Sequence, residues 1–147
     1  MKKLISAIVF ATAALGAGTA LAEDHVVKEM NSGPEGTFVF SPSYIQIHAG
    51  DTVTFTPTDE GHNSESAFTP EGAAGWKSEI SKPLTVTFTK PGVYIYECTP
   101  HKMFGMVGVI VVDSATDAAD ARKAAANIEK QQIMNQGRLT TIMKKIP

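Results

Sequence analysis

The chain has 147 residues, with 13 lysines and arginines against 15 aspartates and glutamates, and its formal net charge is −2. This balance offers no basic surplus for general nucleic-acid binding, and a single cysteine excludes an internal disulfide. The length suits one domain with a single hydrophobic core.

The N-terminus has the pattern of a cleavable export signal. Lys2 and Lys3 precede a short apolar stretch, and small residues follow it up to Ala22. The stretch is too short for a membrane-spanning helix, and no later run approaches the roughly 18 apolar residues that such a helix needs. We therefore expect residues 1–22 to be removed during export and residues 23–147 to form one soluble domain. Loss of the two lysines lowers the formal charge from −2 to −4.

The middle of the chain predicts β structure. From about His25 to Val112, apolar and polar residues alternate between clusters of Gly, Pro, Asn and Asp. The clearest predicted strands are Thr52 to Thr56, Leu84 to Thr89, Val93 to Glu97 and Met106 to Val112. Short strands with such breaks are typical of an antiparallel sandwich or barrel.

A long segment from Thr58 to about Ser81 shows no regular pattern and is predicted to be a loop. Loops of this length are commonly functional, and this one contains His62.

The C-terminal part changes to Ala-rich sequence with helical spacing of charges. We predict a helical extension over about residues 115–146, with one helix from about Thr116 to Gln131 and a second from about Ile133 to Lys145. Gln136-Gly137 is a possible interruption of the second helix. The residues expected to pack on the sandwich are Ala124, Ile128, Ile133, Leu139 and Ile142.

The strongest chemical signal is the spacing of Cys98, His101 and Met106. A thiolate, an imidazole and a thioether select copper, and a blue-copper site needs one more histidine, which His62 can supply. The pattern predicts a mononuclear copper site with His62, Cys98, His101 and Met106 as ligands. Met103 is a rival axial ligand, but it follows His101 too closely for the chain to cross the metal.

Four protein ligands leave no position for a substrate, so the pattern favours a one-electron carrier that is not an enzyme. Two alternatives remain. A small copper oxidoreductase would need an open coordination position or further copper centres. A copper chaperone or storage protein would show several exposed methionine or cysteine ligands.

Several motifs resemble the pseudoazurin family of cupredoxins. They are Gly61-His62-Asn63, Cys98-Thr99-Pro100-His101 and Gly105-Met106, together with Gly50 to Phe55 and the helical C-terminus. The resemblance implies a single plastocyanin-like domain, with an eight-stranded Greek-key β-sandwich and two C-terminal α-helices. It also implies a type 1 blue copper site, a periplasmic location, and electron transfer to a denitrification enzyme such as copper nitrite reductase.

The resemblance further implies roles for residues around the metal. Asn63 would brace the two ligand loops, and His101 would lie near the surface where a redox partner docks, close to Lys102, Met103 and Phe104. The lysines that would surround this docking face are Lys28, Lys77, Lys82 and Lys102. We also expect a monomer that binds no nucleic acid and does not insert into membranes.

Overall fold

The computed structural model describes residues 21–147, so most of the predicted signal segment, residues 1–22, lies outside the described part. The described elements are β1 (Asp24–Gly33), β2 (Gly36–Ser41), β3 (Tyr44–Ile47), β4 (Thr52–Pro57), β5 (Glu65–Phe68), β6 (Leu84–Thr87), β7 (Gly92–Glu97), a 3-10 helix (Thr99–Phe104), β8 (Val107–Val112), α1 (Ala118–Glu129) and α2 (Arg138–Met143). The prediction of a mainly β fold with eight strands and two C-terminal helices is confirmed.

The strands form two four-stranded sheets. One has the order β2-β1-β4-β6 and the other β3-β8-β7-β5. Most neighbouring strands are antiparallel, as predicted, but β1 pairs with β4 in parallel and β3 pairs with β8 in parallel. These parallel pairs join strands far apart in sequence. Local alternation of residue types carries no information about them, because it reports only which face each residue occupies.

The second sheet is covered on both faces, which explains why β8 is apolar throughout and β7 has no charged residue before Glu97. In β7, Tyr94 and Tyr96 point into the core between the sheets, whereas Val93 and Ile95 pack with the helices. Cys98, the next residue of the inward series, belongs to the inter-sheet core. This double burial holds the strand that carries Cys98 rigidly in place.

The helices differ from prediction in two respects. The first matches closely, but the second begins only at Arg138, after Gly137 at a φ of +84°. The expectation that Ile133 packs on the sandwich is wrong, since this residue is 63% exposed. Its backbone N–H donates to the Met103 carbonyl, so the segment before α2 follows the loop that contains Met103.

The predicted loop from Thr58 to Ser81 is also only partly correct, because it contains β5. This four-residue strand pairs with the edge of β7, and its register shifts between Ser66 and Phe68. A short edge strand with an irregular register shows no clean alternation, so the sequence pattern misses it. No helix among the described residues is long and apolar enough to cross a membrane.

Candidate metal centre

A tight loop between β7 and β8 brings Cys98, His101 and Met106 together. Cys98 precedes the 3-10 helix, and Gly105 ends that helix at a φ of +72°. A side chain at Gly105 would lie 2.8 Å from the Met134 carbonyl oxygen, so only glycine fits without movement. The Met106 carbonyl then accepts the Cys98 N–H at 3.1 Å, which closes the loop.

The side chains of His62, Cys98 and His101 meet in one place. The Cys98 Sγ lies 3.7 Å from His62 Nδ1 and 3.4 Å from His101 Nδ1. One donor atom from each residue lies within 4.8 Å of the other two, and within residues 21–147 no other group of His, Cys, Asp and Glu side chains has this metal-binding arrangement. The sequence prediction that these three residues converge is therefore correct.

The orientation of His62 is fixed by Asn31. The His62 Nε2 lies 2.9 Å from the Asn31 side-chain oxygen. If this nitrogen donates to the amide oxygen, Nδ1 is left with its lone pair directed at the site. Sequence reasoning missed Asn31, because it begins a cluster of residues typical of turns, Asn31 to Gly36, and shows no local sign of a contact with His62.

Asn63 connects the two ligand loops, as the family resemblance implies. Its side-chain oxygen accepts the Thr99 N–H at 2.7 Å, and its amide nitrogen donates to Thr99 Oγ1 at 3.0 Å. The Asn63 backbone N–H also points at the Cys98 sulfur, at 3.5 Å. Both the loop of His62 and the loop of Cys98 are thereby held without any metal.

The two candidate axial methionines have opposite environments. Met106 is fully buried in the same apolar cluster as Cys98, whereas Met103 is 51% exposed. A weak thioether ligand has to lie inside the site, so the environment favours Met106.

Burial shifts the protonation of the donor atoms. It raises the pKa of the Cys98 thiol to about 11, against a smaller opposing effect of backbone N–H groups from Asn63 and His101. Burial also lowers the pKa of His62 and of His101. At neutral pH both imidazoles are therefore free bases and the thiol is protonated, so a metal ion that binds here must displace one proton.

An apolar surface surrounds the outer edge of His101. The Phe38 ring stacks on the His101 ring with centroids 4.6 Å apart, and Phe104 lies on the same side. Met103 is exposed close to His101 in the chain, and the exposed Ile133 and Met134 are brought beside Met103 because both donate their N–H groups to its carbonyl. Phe38 was not identified from the sequence.

The nearby lysines are partly neutralised. Lys102 lies 4.0 Å from a Glu97 oxygen, and Lys77 lies 3.2 Å from a Glu65 oxygen. Glu65 also accepts a hydrogen bond from Thr99 Oγ1 at 2.7 Å, which ties this ion pair to the ligand loop.

Comparison with known proteins decides the family. Residues 27–113 match the copper binding proteins of the plastocyanin/azurin family. The chain is 39% identical over 125 residues to the pseudoazurin of Methylorubrum extorquens, with 84% of each protein covered. The chain belongs to the pseudoazurin family. A second pseudoazurin, from Paracoccus pantotrophus, is 40% identical over 111 residues, which cover 74% of this chain and 77% of that protein.

The fold comparison agrees with this assignment. The refined crystal structure of pseudoazurin from Methylobacterium extorquens AM1 superposes with a TM-score of 0.71 at 35% identity, covering 84% of this chain and 99% of that one. The predictions of family, fold class and copper as cofactor are confirmed. As a member of this family, the protein is an electron carrier with a copper site.

Proposed function

We propose that this pseudoazurin carries single electrons in the periplasm through one type 1 copper ion held by His62, Cys98, His101 and Met106. Its electron acceptor in this proposal is a denitrification enzyme such as copper nitrite reductase. The observation that carries the proposal is the convergence of the Cys98 sulfur with the two imidazole nitrogens, 3.4 and 3.7 Å away, inside a buried pocket.

The donor set fits copper better than other common metals. A thiolate, two neutral imidazoles and a thioether match the ligands of blue-copper sites, whereas hard cations prefer oxygen. When bound, copper supplies a one-electron couple between Cu(II) and Cu(I). The chain contributes a frame that keeps the ligands in place in both states, since Asn31 holds His62 and Asn63 holds the Cys98 loop.

Burial supports a carrier rather than an enzyme. His62, Cys98 and Met106 are completely inaccessible to solvent, and only His101 reaches the surface. A substrate molecule would have no route to the metal, whereas an electron can leave through the His101 ring. The same burial argues against a chaperone or storage protein, because such a protein needs exposed metal-binding side chains from which copper can pass to another molecule.

The apolar surface around His101 fits a docking role. We assign partner contact to His101, Lys102, Met103 and Phe104, because an apolar patch next to the ligand brings the two metal centres close in a dry contact. Lys28 and Lys82 are exposed and unpaired with acidic side chains in the described residues, so they remain candidates for steering a partner.

A contact at the start of the domain supports processing after Ala22. The backbone nitrogen of Glu23 donates to the Asp51 carboxylate at 2.9 Å. Cleavage before Glu23 would turn this nitrogen into a charged ammonium group beside that carboxylate. Residues 1–22 would then be the signal peptide, and residues 23–147 the exported domain.

The copper site is tested by adding Cu(II) to the purified domain. We expect an intense thiolate-to-copper band that disappears on reduction and is absent in Cys98→Ser. Met106→Leu should shift the band and the reduction potential, whereas the matched variant Met103→Leu should leave both unchanged. A normal band in Cys98→Ser, or equal shifts in the two methionine variants, would reject these ligand assignments.

The carrier role is tested by turnover with purified reductases. The reduced protein should lose its electron to copper nitrite reductase and should not consume nitrite by itself. Slow exchange of copper with a chelator, together with reversible one-electron voltammetry, is the expected behaviour of a carrier. Rapid copper exchange would favour the chaperone instead.

A further inference from the structure

An acidic side chain is buried in the core without a partner. Glu29, in β1, is 0% exposed, and neither carboxylate oxygen has a hydrogen-bond partner in the described part of the chain. The hydroxyl of Tyr96, also fully buried, lacks a partner in the same way. Unpartnered buried polar groups are uncommon in native proteins, so each calls for a physical explanation.

Both groups belong to strands that lead to residues of the metal centre. Glu29 is followed two residues later by Asn31, whose side chain holds His62, and Tyr96 is followed two residues later by Cys98. Two residues of a strand span about 7 Å, so each group lies about that distance along the chain from a residue of the metal centre. Phe40 connects them, since it pairs with Glu29 in the sheet and its ring lies 4.7 Å from the Tyr96 ring.

The Tyr96 side chain extends to β8, and the charges of both Glu29 and Glu35 act on its hydroxyl. A Cβ at Gly108 would be 2.3 Å from this hydroxyl, so the tyrosine tip rests on the β8 backbone. The next residue along, Val109, donates its N–H to the Ser43 carbonyl. Ser43 in turn donates its hydroxyl to Glu35, and both residues line an open cleft of about 460 Å³.

The titratable and charged groups near Glu29 come from several elements of the fold. The charge of Glu29 acts on Tyr96 in β7 and on Cys98 after it; Glu35 lies in the turn after β1; and the backbone N–H of Asp59, after β4, donates to the Glu29 carbonyl. Two cations, Arg138 and Lys145, line the cleft, and Arg138 donates to the carbonyls of Thr37, Phe38 and Gly105. Burial raises the pKa of Glu29 to about 7. The charges of Glu35 and Glu29, in addition to burial, raise the pKa of Tyr96, which places its hydroxyl within electrostatic reach of both.

We propose that Glu29 is an internal proton-binding site coupled to the oxidation state of the copper centre. This proposal rests on the copper site proposed above. When a redox partner delivers one electron, a hydronium ion or buffer acid of the solvent gives up one proton, and that proton forms an O–H bond with the Glu29 carboxylate. When the electron leaves, that bond breaks and the proton returns to solvent.

The physical reason is electrostatic. An added electron removes one positive charge from the centre, which makes a nearby buried carboxylate less favourable and its neutral acid more favourable. By linkage, the protonated acid makes reduction easier by the same free energy. No other bond needs to change.

The test is the reduction potential as a function of pH. In the unaltered protein it should fall as the pH rises across about one unit on either side of 7. In Glu29→Gln it should be flat over this range and stay near the low-pH value of the unaltered protein. The matched control is Glu97→Gln, which removes a carboxyl next to Cys98 and should keep the slope. A flat profile in the unaltered protein, a slope that survives in Glu29→Gln, or equal loss of the slope in Glu97→Gln would overturn the proposal.

Infrared difference spectra between the oxidised and reduced protein provide a direct readout. Reduction near pH 7 should produce a carboxylic acid carbonyl band that is missing in Glu29→Gln. A protein that shows the thiolate-to-copper band and a reversible couple, but no such band and no pH slope, would keep its proposed function and lose only this inference. Absence of the copper band would remove both.

Discussion

Phe38 stacks on His101, with an angle of 18° between the two ring planes. Because His101 is the only proposed ligand that reaches the surface, this ring covers the one imidazole that water could otherwise approach. Phe38 comes from β2 in the opposite sheet, and its φ of +49° is unusual for a phenylalanine. The contact therefore joins the ligand loop to a part of the fold about sixty residues earlier in the sequence.

Phe38→Ala should raise the pKa of His101 towards its ordinary value in the copper-free protein, since burial is what lowers it. The measurement is an NMR titration of the imidazole. Phe104→Ala is the matched control, because its ring centroid lies 6.0 Å from that of His101 and its removal should have a smaller effect. A larger shift in the Phe104 variant would contradict the covering role of Phe38.

Asn63→Ala should destabilise the copper-free protein by about 2–4 kcal/mol, because it leaves the part-buried Thr99 N–H and the buried Ser78 carbonyl without this partner. Urea denaturation measures this loss. The informative comparison is Asn31→Ala, which removes only the bond to His62 from a more exposed position. The free energy of unfolding of that variant should be close to that of the unaltered protein, but the variant should bind copper roughly 10–100-fold more weakly. Equal stability losses in the two variants would show that Asn63 does not brace the loops.

The sequence was most informative where ligands are close together in the chain. Cys98, His101 and Met106 lie in one loop whose spacing is set by local chemistry, and the structure brings Cys98 and His101 to one centre with His62. Asn31 and Phe38 were missed because each reaches the site from another strand through pairing with distant partners. Nothing in the local pattern of residue types records that pairing.

In the fold, too, the sequence predicted local features but not contacts between distant segments. Alternation predicted strands such as β4, whose two faces differ, but not the parallel pairing of β4 with β1. The error at Ile133 arose because an apolar residue with helical spacing was assumed to face the core. In the structure the backbone there is bound to the Met103 carbonyl instead, and the side chain contributes to the exposed apolar surface near His101.

Partner docking should depend more on apolar contact than on the charge of Lys102. This lysine lies 4.0 Å from Glu97, which offsets its charge, whereas Met103 is 51% exposed. We expect Met103→Asp to slow electron transfer to copper nitrite reductase about tenfold and Lys102→Ala to change it less than about threefold at physiological ionic strength. Stopped-flow rates at several salt concentrations test this. A strong salt dependence that disappears in Lys102→Ala would instead support steering by this lysine.

Glu29 should make the copper-free protein less stable as the pH rises. Burial raises its pKa from 4.5 to about 7, so between these values the folded state binds a proton that the unfolded state has lost. The favourable contribution of Glu29 to the free energy of unfolding is therefore complete below about pH 4.5 and is lost as the pH rises through 7. The contribution of Asp51 to stability depends on pH in the opposite direction. Backbone N–H groups of Glu23 and His48 lower its pKa to about 2, so its stabilising contribution is lost only in strong acid.

Glu29→Gln should accordingly stabilise the copper-free protein at pH 8, by up to about 3 kcal/mol, and have little effect near pH 4.5, where the native side chain is already neutral. Urea denaturation at the two pH values gives the difference directly. Glu97→Gln serves as the control, because Lys102 partly offsets the effect of burial on its carboxyl and the gain at pH 8 should be smaller. A stability gain for Glu29→Gln that is the same at both pH values would mean that better packing, rather than removal of a buried charge, is its cause.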